Sequence, residues 1–260
     1  MLYGLKLVAL GAITLLATLL TIIFGLFDAH GKYAYLISCF WSWLILAIGG
    51  VSLRVHGLNH IDPRRQYVFM VNHQSNVDIP VLLQSLPGFQ LRWLAKKEIL
   101  WVPFLGWAMW AARHIPVDRG DRNDALRSLK KAKERMAAGI SIVFFPEGTR
   151  SSDGGLLPFK RGGFLLAVKT QTPIVPVTIN GSGKILAKGD WRLRGGEIQV
   201  TVGMPVSVED YRPGNLRALS ARVRDLIAAN LVQAEETTER KNYQAQTAVE
   251  THSSLKKRAV

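Results

Sequence analysis

The chain has 260 residues, of which 48% are hydrophobic, and its 33 Lys and Arg against 19 Asp and Glu give a formal net charge of +14. This hydrophobic content excludes a disordered chain, and together with the positive charge it predicts an apolar or anionic partner. The single cysteine, Cys39, excludes an intramolecular disulfide. Neither a CxxC pair nor a paired-histidine motif indicates a zinc site, so we expect no metal.

Two apolar runs without charged residues stand near the N-terminus, at 7–27 and 33–53. A helix of about 21 residues is roughly 31 Å long, close to the hydrocarbon thickness of a bilayer. Only residues 28–32 join the runs, which forces two antiparallel helices and argues against a cleaved signal peptide. Residues 1–53 are therefore predicted to form a membrane-anchoring helical hairpin, with two buried core helices as the alternative.

The excess positive charge lies almost entirely after the hairpin, because residues 1–53 contain only Lys6, Asp28 and Lys32 as charged side chains. A basic body behind an apolar hairpin is typical of a protein at anionic membrane lipid, where each nearby Lys or Arg contributes about 1 kcal/mol. Nucleic acid would also attract a basic body, but the hairpin argues against it. We therefore expect anionic membrane lipid, and no nucleic acid, as a partner.

From residue 54 to 233 short apolar runs alternate with helical patterns, which predicts an α/β domain with a mixed sheet and helices on both faces. Amphipathic helices are predicted at 121–138 and 215–231. Residues 234–260 are polar and without periodicity, so we expect a flexible tail. The predicted strands are 66–71, 91–95, 114–117, 140–145, 173–179 and 197–202.

Polar clusters follow four of these strands directly, at 72–78, 117–119, 146–150 and 180–181. Ligands of open α/β sheets bind beyond the carboxyl ends of the strands, so these clusters predict one crevice. Within the first cluster, His73 and Asp78 are separated by four residues, and Pro80 suits the first turn of a helix that would bring the carboxylate to the imidazole. Such a dyad suits general-base activation of a hydroxyl, although the spacing also arises by chance.

Two arginines follow other strands, Arg119 and Arg150, and their planar forks suit a phosphate monoester. Gly148 would let the backbone approach the ligand closely. Glu147 could pair with Arg150 and hold its fork, which an ordinary structural ion pair would also do. No Gly-x-Ser-x-Gly pentapeptide is present, which argues against a serine hydrolase of the α/β type.

These motifs together resemble the 1-acylglycerol-3-phosphate acyltransferase family, in particular its bacterial membrane-bound members. The matching blocks occur in the family's order over about 110 residues of the body. One departure is Arg113-His114, which stands where the family usually has a glycine. The blocks are NHQSNVD at 72–78, KKEIL at 96–100 followed by Pro103 and Gly106, VDR at 117–119, FPEGTRS at 145–151 and IVPV at 174–177.

The resemblance implies transfer of an acyl chain from a thioester to the sn-2 hydroxyl of lysophosphatidic acid, giving phosphatidic acid. It implies that His73 is the base and that Asp78 orients it. It implies no cofactor, with acyl-CoA or an acyl carrier protein thioester as co-substrate. It assigns the substrate phosphate to Lys96, Arg119, Glu147, Gly148, Thr149 and Arg150, and the acyl donor or acyl chain to Val175 and Pro176.

Three alternatives remain open at this point. The acceptor could be another lysolipid or glycerol 3-phosphate. The chain could be a non-catalytic membrane protein that binds anionic lipid through the same arginines, or it could hydrolyse the thioester with a water molecule held at His73.

The charges beside the hairpin predict its orientation. Lys6, Arg54, Arg64 and Arg65 lie on the open side, against Lys32 at the turn, so the positive-inside tendency predicts a catalytic domain facing the cytoplasm. With the family resemblance, this implies the cell inner membrane. Tryptophans 41 and 43 fall at the middle of the second apolar run rather than at an interface, which favours a hairpin that lies in one leaflet.

Overall fold

The computed structural model describes residues 2–28, 30–102, 104–118 and 120–231 of the chain. Arg119 and the predicted polar tail at 234–260 lie outside these residues.

The two apolar runs form helices α1 (Leu2–Phe27) and α2 (Lys32–Gly49), so the predicted helical hairpin is confirmed. Both helices are long and apolar enough to cross a membrane, with mean hydropathies of 2.6 and 1.3. Their exposed apolar side chains indicate membrane association. The second helix is shorter than predicted, because Gly50 adopts a left-handed conformation (φ +71°) and ends it.

The turn of the hairpin is held by hydrogen bonds on both sides. The carboxylate of Asp28 accepts the backbone N–H groups of residues 30, 31 and 33, at 2.7–3.1 Å, and so caps α2. From the body, the buried guanidinium of Arg92 donates to the carbonyls of His30 (2.9 Å) and Gly31 (2.8 Å). Arg113 donates to the carbonyls of Gly25 and Asp28 at 3.1 and 3.2 Å. The turn is therefore fixed against the body.

The body contains a seven-stranded mixed sheet, in the order β1-β7-β6-β2-β5-β3-β4. The strands β6, β2, β5, β3 and β4 are mutually parallel, whereas β7 is antiparallel to β6 and β1 is parallel to β7. Six strands overlap the six predicted ones. The bounds are β1 (Val51–His56), β2 (Val68–Val71), β3 (Leu91–Lys96), β4 (Ile115–Val117), β5 (Ser141–Phe144), β6 (Ile174–Asn180) and β7 (Gly196–Val202).

Strand β1 was not predicted, and it corrects the end of the hairpin. Residues 51–53 extend the second apolar run in composition, but they begin a strand that pairs with β7 over its whole length. The predicted boundary between residues 53 and 54 therefore falls inside a strand. The alternation of partly buried and exposed residues along β1 is the period of two expected of a strand with one covered face.

Helices cover both faces of the sheet, as predicted. One core contains residues of α2 and α3 packed on the sheet, and the other contains residues of α5, α6 and α8. Short 3₁₀ helices occur at Leu58–His60 and Lys97–Trp101. The helices of the body are α3 (Asp78–Ser85), α4 (Leu105–Ala111), α5 (Arg122–Ala137), α6 (Gly162–Thr170), α7 (Ser182–Ile185) and α8 (Leu216–Ala228).

Candidate active site

The predicted dyad is assembled at the carboxyl end of β2, in the centre of the sheet. The Nδ1 atom of His73 lies 2.8 Å from the Oδ2 atom of Asp78. Asp78 is the first residue of α3, so its carboxylate also benefits from the N-terminal end of that helix. Its side chain is fully buried, whereas 15% of the His73 side chain is exposed. The imidazole therefore separates a buried carboxylate from solvent.

The carboxylate of Asp78 also organises the loop that precedes it. Its Oδ2 atom accepts the backbone N–H groups of Gln74 and Ser75, each at 2.9 Å. The hydroxyl of Ser75 donates to the carbonyl of Leu186 at 2.6 Å. These bonds hold the loop between β2 and α3 to the protein beside the dyad.

The imidazole of His73 is held on a second side by an aromatic ring. The ring of Phe145, at the end of the neighbouring strand β5, stacks on it with a centroid separation of 3.9 Å and an interplanar angle of 15°. Because Nδ1 faces the carboxylate, the chemistry assigns its proton there and leaves a lone pair on Nε2. His73 is therefore arranged to accept a proton from a ligand at Nε2.

Glu147 lies beside the dyad, but its carboxylate faces backbone groups. Its Oε1 accepts the N–H of His73 and its Oε2 accepts the N–H of Leu157, both at 2.9 Å. The residue is 3% exposed. Burial raises the pKa of Glu147 above its usual range, although the two N–H donors favour the charged form. The suggested pair with Arg150 is absent from the ion pairs of the described residues, and the geometry favours a positioning role over the predicted phosphate contact.

The residues after Glu147 form a tight turn. Gly148 has φ +75° and its N–H donates to the carbonyl of Phe145 at 3.0 Å. Thr149 is exposed and Arg150 is half-buried. The backbone carbonyl of Arg150 accepts from the ammonium of Lys188 at 3.1 Å. Among the ion pairs of the described residues, none joins the Arg150 guanidinium to a carboxylate. This fork can receive an anion.

Two further residues were predicted to contact the phosphate. Lys96 ends strand β3, and its ammonium forms an exposed ion pair with Glu98 at 2.8 Å. A phosphate at Lys96 would therefore compete with that carboxylate. Arg119 lies outside the described residues, and only the end of β4 at Val117 and the following Asp118 are placed at this edge.

Val175 and Pro176 lie below the site rather than in it. They pair with Phe69 and Met70 in the middle of the parallel ladder between β6 and β2. Both are buried, with Val175 at 0% exposure. Pro176 is tolerated in this inner strand because the ladder with β7 begins one residue later, at Val177. A direct contact of these two side chains with the acyl donor, as the resemblance implies, does not agree with their burial in the core.

Two residues that support the site were not assigned a role from the sequence. Asn72 joins the ends of β2 and β6, because its amide donates to the carbonyl of Ile179 (2.9 Å) and accepts the N–H of Ile179 (2.7 Å). Phe145 provides the stacking ring. Asn72 is the first residue of the polar cluster at 72–78, and Phe145 directly precedes the cluster at 146–150; these positions were the available signal. Among the described residues, no group of three or more His, Cys, Asp or Glu could hold a metal ion.

Comparisons with known proteins identify relatives of this chain. The family model described as "Acyltransferase" matches residues 52–180. The curated 1-acyl-sn-glycerol-3-phosphate acyltransferase alpha of Ovis aries is 38% identical over 176 residues, covering 67% of this chain and 61% of the relative. The 1-acyl-sn-glycerol-3-phosphate acyltransferase of Limnanthes douglasii is 32% identical over 189 residues, covering 72% and 66%.

A solved structure has the same fold. It is the 1-acyl-sn-glycerophosphate acyltransferase PlsC of Thermotoga maritima, with a TM-score of 0.71 and 25% identity, covering 91% of this chain and 98% of that one. The chain belongs to this acyltransferase family. The family resemblance inferred from the motifs is thus confirmed, while the bacterial subtype stays a prediction. The alignments span about three fifths of the length of the animal relatives.

Proposed function

We propose that the chain is a 1-acylglycerol-3-phosphate O-acyltransferase, which transfers an acyl chain from a thioester to the sn-2 hydroxyl of lysophosphatidic acid. The observation that carries this proposal is the dyad, with Nδ1 of His73 2.8 Å from Oδ2 of Asp78 and Nε2 left for a ligand. Membership in the acyltransferase family supports the reaction class. The products are phosphatidic acid and a free thiol.

The dyad supplies the proton transfers of this reaction. Nε2 of His73 takes the proton of the acceptor hydroxyl as its oxygen attacks the thioester carbonyl. The carboxylate of Asp78 stabilises the imidazolium that forms and holds the ring in place. Collapse of the tetrahedral intermediate breaks the carbon–sulfur bond, and the imidazolium returns the proton to the leaving thiolate. No acyl-enzyme is required, because the thioester is activated enough for the acceptor hydroxyl to attack it directly.

The acceptor phosphate is proposed to lie across the neighbouring strand ends. The guanidinium of Arg150 offers a bidentate fork to two phosphate oxygens. Lys96 and Arg119 add positive charge, in the roles that the resemblance implies. Glu147 is left out of this contact, because a buried carboxylate bonded to two backbone N–H groups would repel the phosphate.

The test uses the purified full chain in mixed micelles. It is supplied with acyl-CoA or an acyl carrier protein thioester as donor, and with lysophosphatidic acid, another lysolipid or glycerol 3-phosphate as acceptor. We expect phosphatidic acid from lysophosphatidic acid and from at least one donor, and this panel also identifies the donor. A product with another acceptor only would replace the proposed substrate.

Two other outcomes would replace the reaction itself. Release of free fatty acid at the same rate without an acceptor would indicate thioester hydrolysis. Binding of lysophosphatidic acid that is unaffected by His73→Ala, with no turnover of any pair, would indicate a non-catalytic binder of anionic lipid.

We further propose that the hairpin lies in one leaflet of the cell inner membrane, with the catalytic domain facing the cytoplasm. The turn at 28–31 is hydrogen-bonded to Arg92 and Arg113 of the body, and a spanning hairpin would carry it to the opposite side. Burial of Arg92 lowers the pKa of its guanidinium to about 10, so it stays charged near neutral pH. Its bonds to the turn are therefore charge-assisted.

The topology test needs one accessible thiol. Cys39→Ser removes the native cysteine, and His30→Cys places one at the exposed turn. Sealed cells are treated with a membrane-impermeant thiol reagent, with Met204→Cys in the body as the reference. We expect both positions to react only after permeabilisation. Labelling of position 30 in sealed cells would show that the turn crosses the membrane.

A further inference from the structure

The catalytic body carries an exposed aromatic cluster outside the hairpin. Trp101 is 81% exposed, and Trp107 and Trp110 are 55% and 54% exposed. We call Trp101, Val102, Phe104, Trp107 and Trp110 the aromatic segment. Among the described residues, it supplies half of the exposed large apolar side chains that lie outside the hairpin, within ten positions of the chain. Such concentration marks an interaction surface.

The backbone conformation around α4 holds these rings at the surface. A β-carbon at Gly106 would lie 2.1 Å from the carbonyl oxygen of Leu100, so only glycine lets α4 pack this closely on the preceding 3₁₀ helix. Phe104 adopts φ +64°, a backbone conformation that residues other than glycine rarely adopt. Its ring contacts that of Trp107, with the ring centroids 5.4 Å apart. Phe104, Trp107 and Trp110 are spaced three residues apart, so they share one side of the helix.

The aromatic segment is continuous with the lipid-facing surface of the hairpin. Helix α4 packs on the end of α1 so closely that a β-carbon at Gly25 would lie 2.6 Å from the β-carbon of Ala111. Arg113, whose guanidinium lies 5.1 Å from the ring centre of Trp110, donates to the carbonyl of Gly25. At this end of α1, Phe24 and Phe27 are 46% and 87% exposed. The element that carries Trp107 and Trp110 is therefore packed against the end of α1 that carries these two exposed rings.

We infer that the aromatic segment inserts into the headgroup region of the membrane, as a second contact beside the hairpin. Tryptophan is the side chain that prefers this region, where its ring is buried and its N–H remains hydrated. Lys97, four positions before the aromatic segment, is exposed and suits anionic headgroups. The occupant of this surface is thus a lipid interface rather than a protein partner.

The position of the segment gives this contact a role. It follows Lys96 at the carboxyl end of β3, which is the edge of the sheet that holds His73. Insertion there keeps the mouth of the site at the lipid surface. The role in acceptor access rests on the proposed function, because it assigns the acceptor a path from the membrane to His73. Insertion of the aromatic segment into the membrane does not depend on any activity.

The direct test measures the depth of single labelled positions in the full chain. In the Cys39→Ser background, Trp107→Cys is labelled with an environment-sensitive nitrobenzoxadiazole dye and added to vesicles of anionic phospholipid that carry nitroxide quenchers near the headgroup. Met204→Cys and Leu226→Cys are the matched controls, because both are exposed apolar positions elsewhere on the body. We expect blue-shifted, quenched emission at 107 and neither effect at the controls.

Two results would overturn the inference. One is emission at position 107 that matches the controls. The other is a blue shift at 107 that depends on protein concentration and not on the nitroxide lipid, since this would show that a second copy of the chain covers the surface. Both are independent of catalysis, so the measurement stands even if the chain transfers no acyl group.

A second measurement tests the role in acceptor access. Trp107→Glu combined with Trp110→Glu should raise the apparent half-saturating concentration of vesicle-borne lysophosphatidic acid about tenfold, equivalent to about 1.4 kcal/mol. With acceptor dissolved in detergent micelles the same variant should match the parent. Met204→Glu is the control for added charge. An equal loss in vesicles and micelles would overturn the access role, because it would indicate damage to the site.

Discussion

The imidazole of His73 is held by protein groups on two sides, whereas the guanidinium of Arg150, at the neighbouring strand end, has no carboxylate partner among the described residues. The backbone of His73 is bonded as well, since its N–H donates to Glu147 and its carbonyl accepts the N–H of Ser151. Arg150 is anchored through its carbonyl by Lys188. The proposed general-base half of the site is therefore built in advance, and the proposed phosphate half has its donors open.

This difference follows from what each half must do. A base is effective only if its geometry is already set when the substrate arrives, so its orientation is determined by buried groups. A phosphate brings its own charge and can order flexible cations around itself. Substitutions in the first half should therefore affect turnover, and substitutions in the second half should affect acceptor saturation.

Among the substitutions that test this division between turnover and acceptor binding, His73→Ala is expected to have the largest effect on activity. Loss of the base should lower kcat about 10²- to 10⁴-fold, with little change in acceptor KM. His56→Ala, at an exposed position on β1, is the matched control and should resemble the parent. Initial rates in mixed micelles and vesicle flotation provide the readouts. Near-parental turnover of His73→Ala with retained flotation would contradict the general-base role.

Asp78→Asn should give the next largest effect, because it keeps the size of the side chain and removes the charge that stabilises the imidazolium. The amide can also donate to the ring and favour the wrong tautomer. We expect kcat to fall about 10²-fold with acceptor KM unchanged. Asp62→Asn, in an exposed ion pair with Arg64, serves as the control. A rise in acceptor KM without a loss of kcat would place Asp78 in the phosphate half.

The general-base half is also the part of the site that the sequence predicts best. His73 and Asp78 are close along the chain, and the polar run at 72–78 follows a strand, so the spacing, the position at a strand end and the family resemblance together predicted the pair. Six strands and the helical hairpin were also predicted, because each is a continuous apolar pattern in a short stretch of the chain. Strand β1 was missed because its apolar start, at Val51 and Leu53, continues the composition of α2 across Gly50.

The roles that sequence reasoning did not reach depend on contacts between distant segments. Glu147 bonds to the backbone of His73, which is 74 positions away, and no spacing rule links them. The stack of Phe145 on His73 has the same origin, because it needs β2 and β5 to be neighbours in the sheet. Val175 and Pro176 were placed near the donor, yet their register with β2 buries them in the core.

Glu147→Gln would sharpen the comparison, because it separates positioning from phosphate contact. Glutamine can accept one of the two N–H groups of His73 and Leu157 and leaves the other without a carboxylate oxygen. We expect a loss of about 1–3 kcal/mol in the free energy of unfolding and a fall in kcat of about tenfold, with acceptor KM unchanged. Exposed Glu209→Gln is the control. A change in acceptor KM alone would show that Glu147 contacts the acceptor phosphate, as the family resemblance implies.

The pH dependence of this variant has a defined sign. Burial raises the pKa of Glu147, so the folded state binds its proton more tightly than the unfolded state does. Its contribution to stability is therefore present at low pH and is lost as the pH rises through the folded pKa. Glutamine does not titrate, so the stability difference between parent and variant should narrow as the pH rises above the usual pKa of a glutamate carboxyl. Urea unfolding at several pH values measures this, and a widening gap would contradict the assigned direction.

The smallest expected effect comes from Arg150→Lys, which keeps the charge and removes the fork. Lysine presents a point charge in place of two parallel N–H donors, so a phosphate monoester should lose one hydrogen bond while the dyad stays intact. We expect acceptor KM to rise about tenfold, equivalent to about 1.4 kcal/mol, with kcat and donor KM nearly unchanged. Arg222→Lys, at an exposed position on α8, is the matched control. Arg119→Ala should act in the same direction if that residue binds the same phosphate. A change in donor KM with acceptor KM unchanged would show that Arg150 binds the acyl donor. A fall in kcat alone would contradict the assignment of turnover and acceptor binding to separate halves of the site.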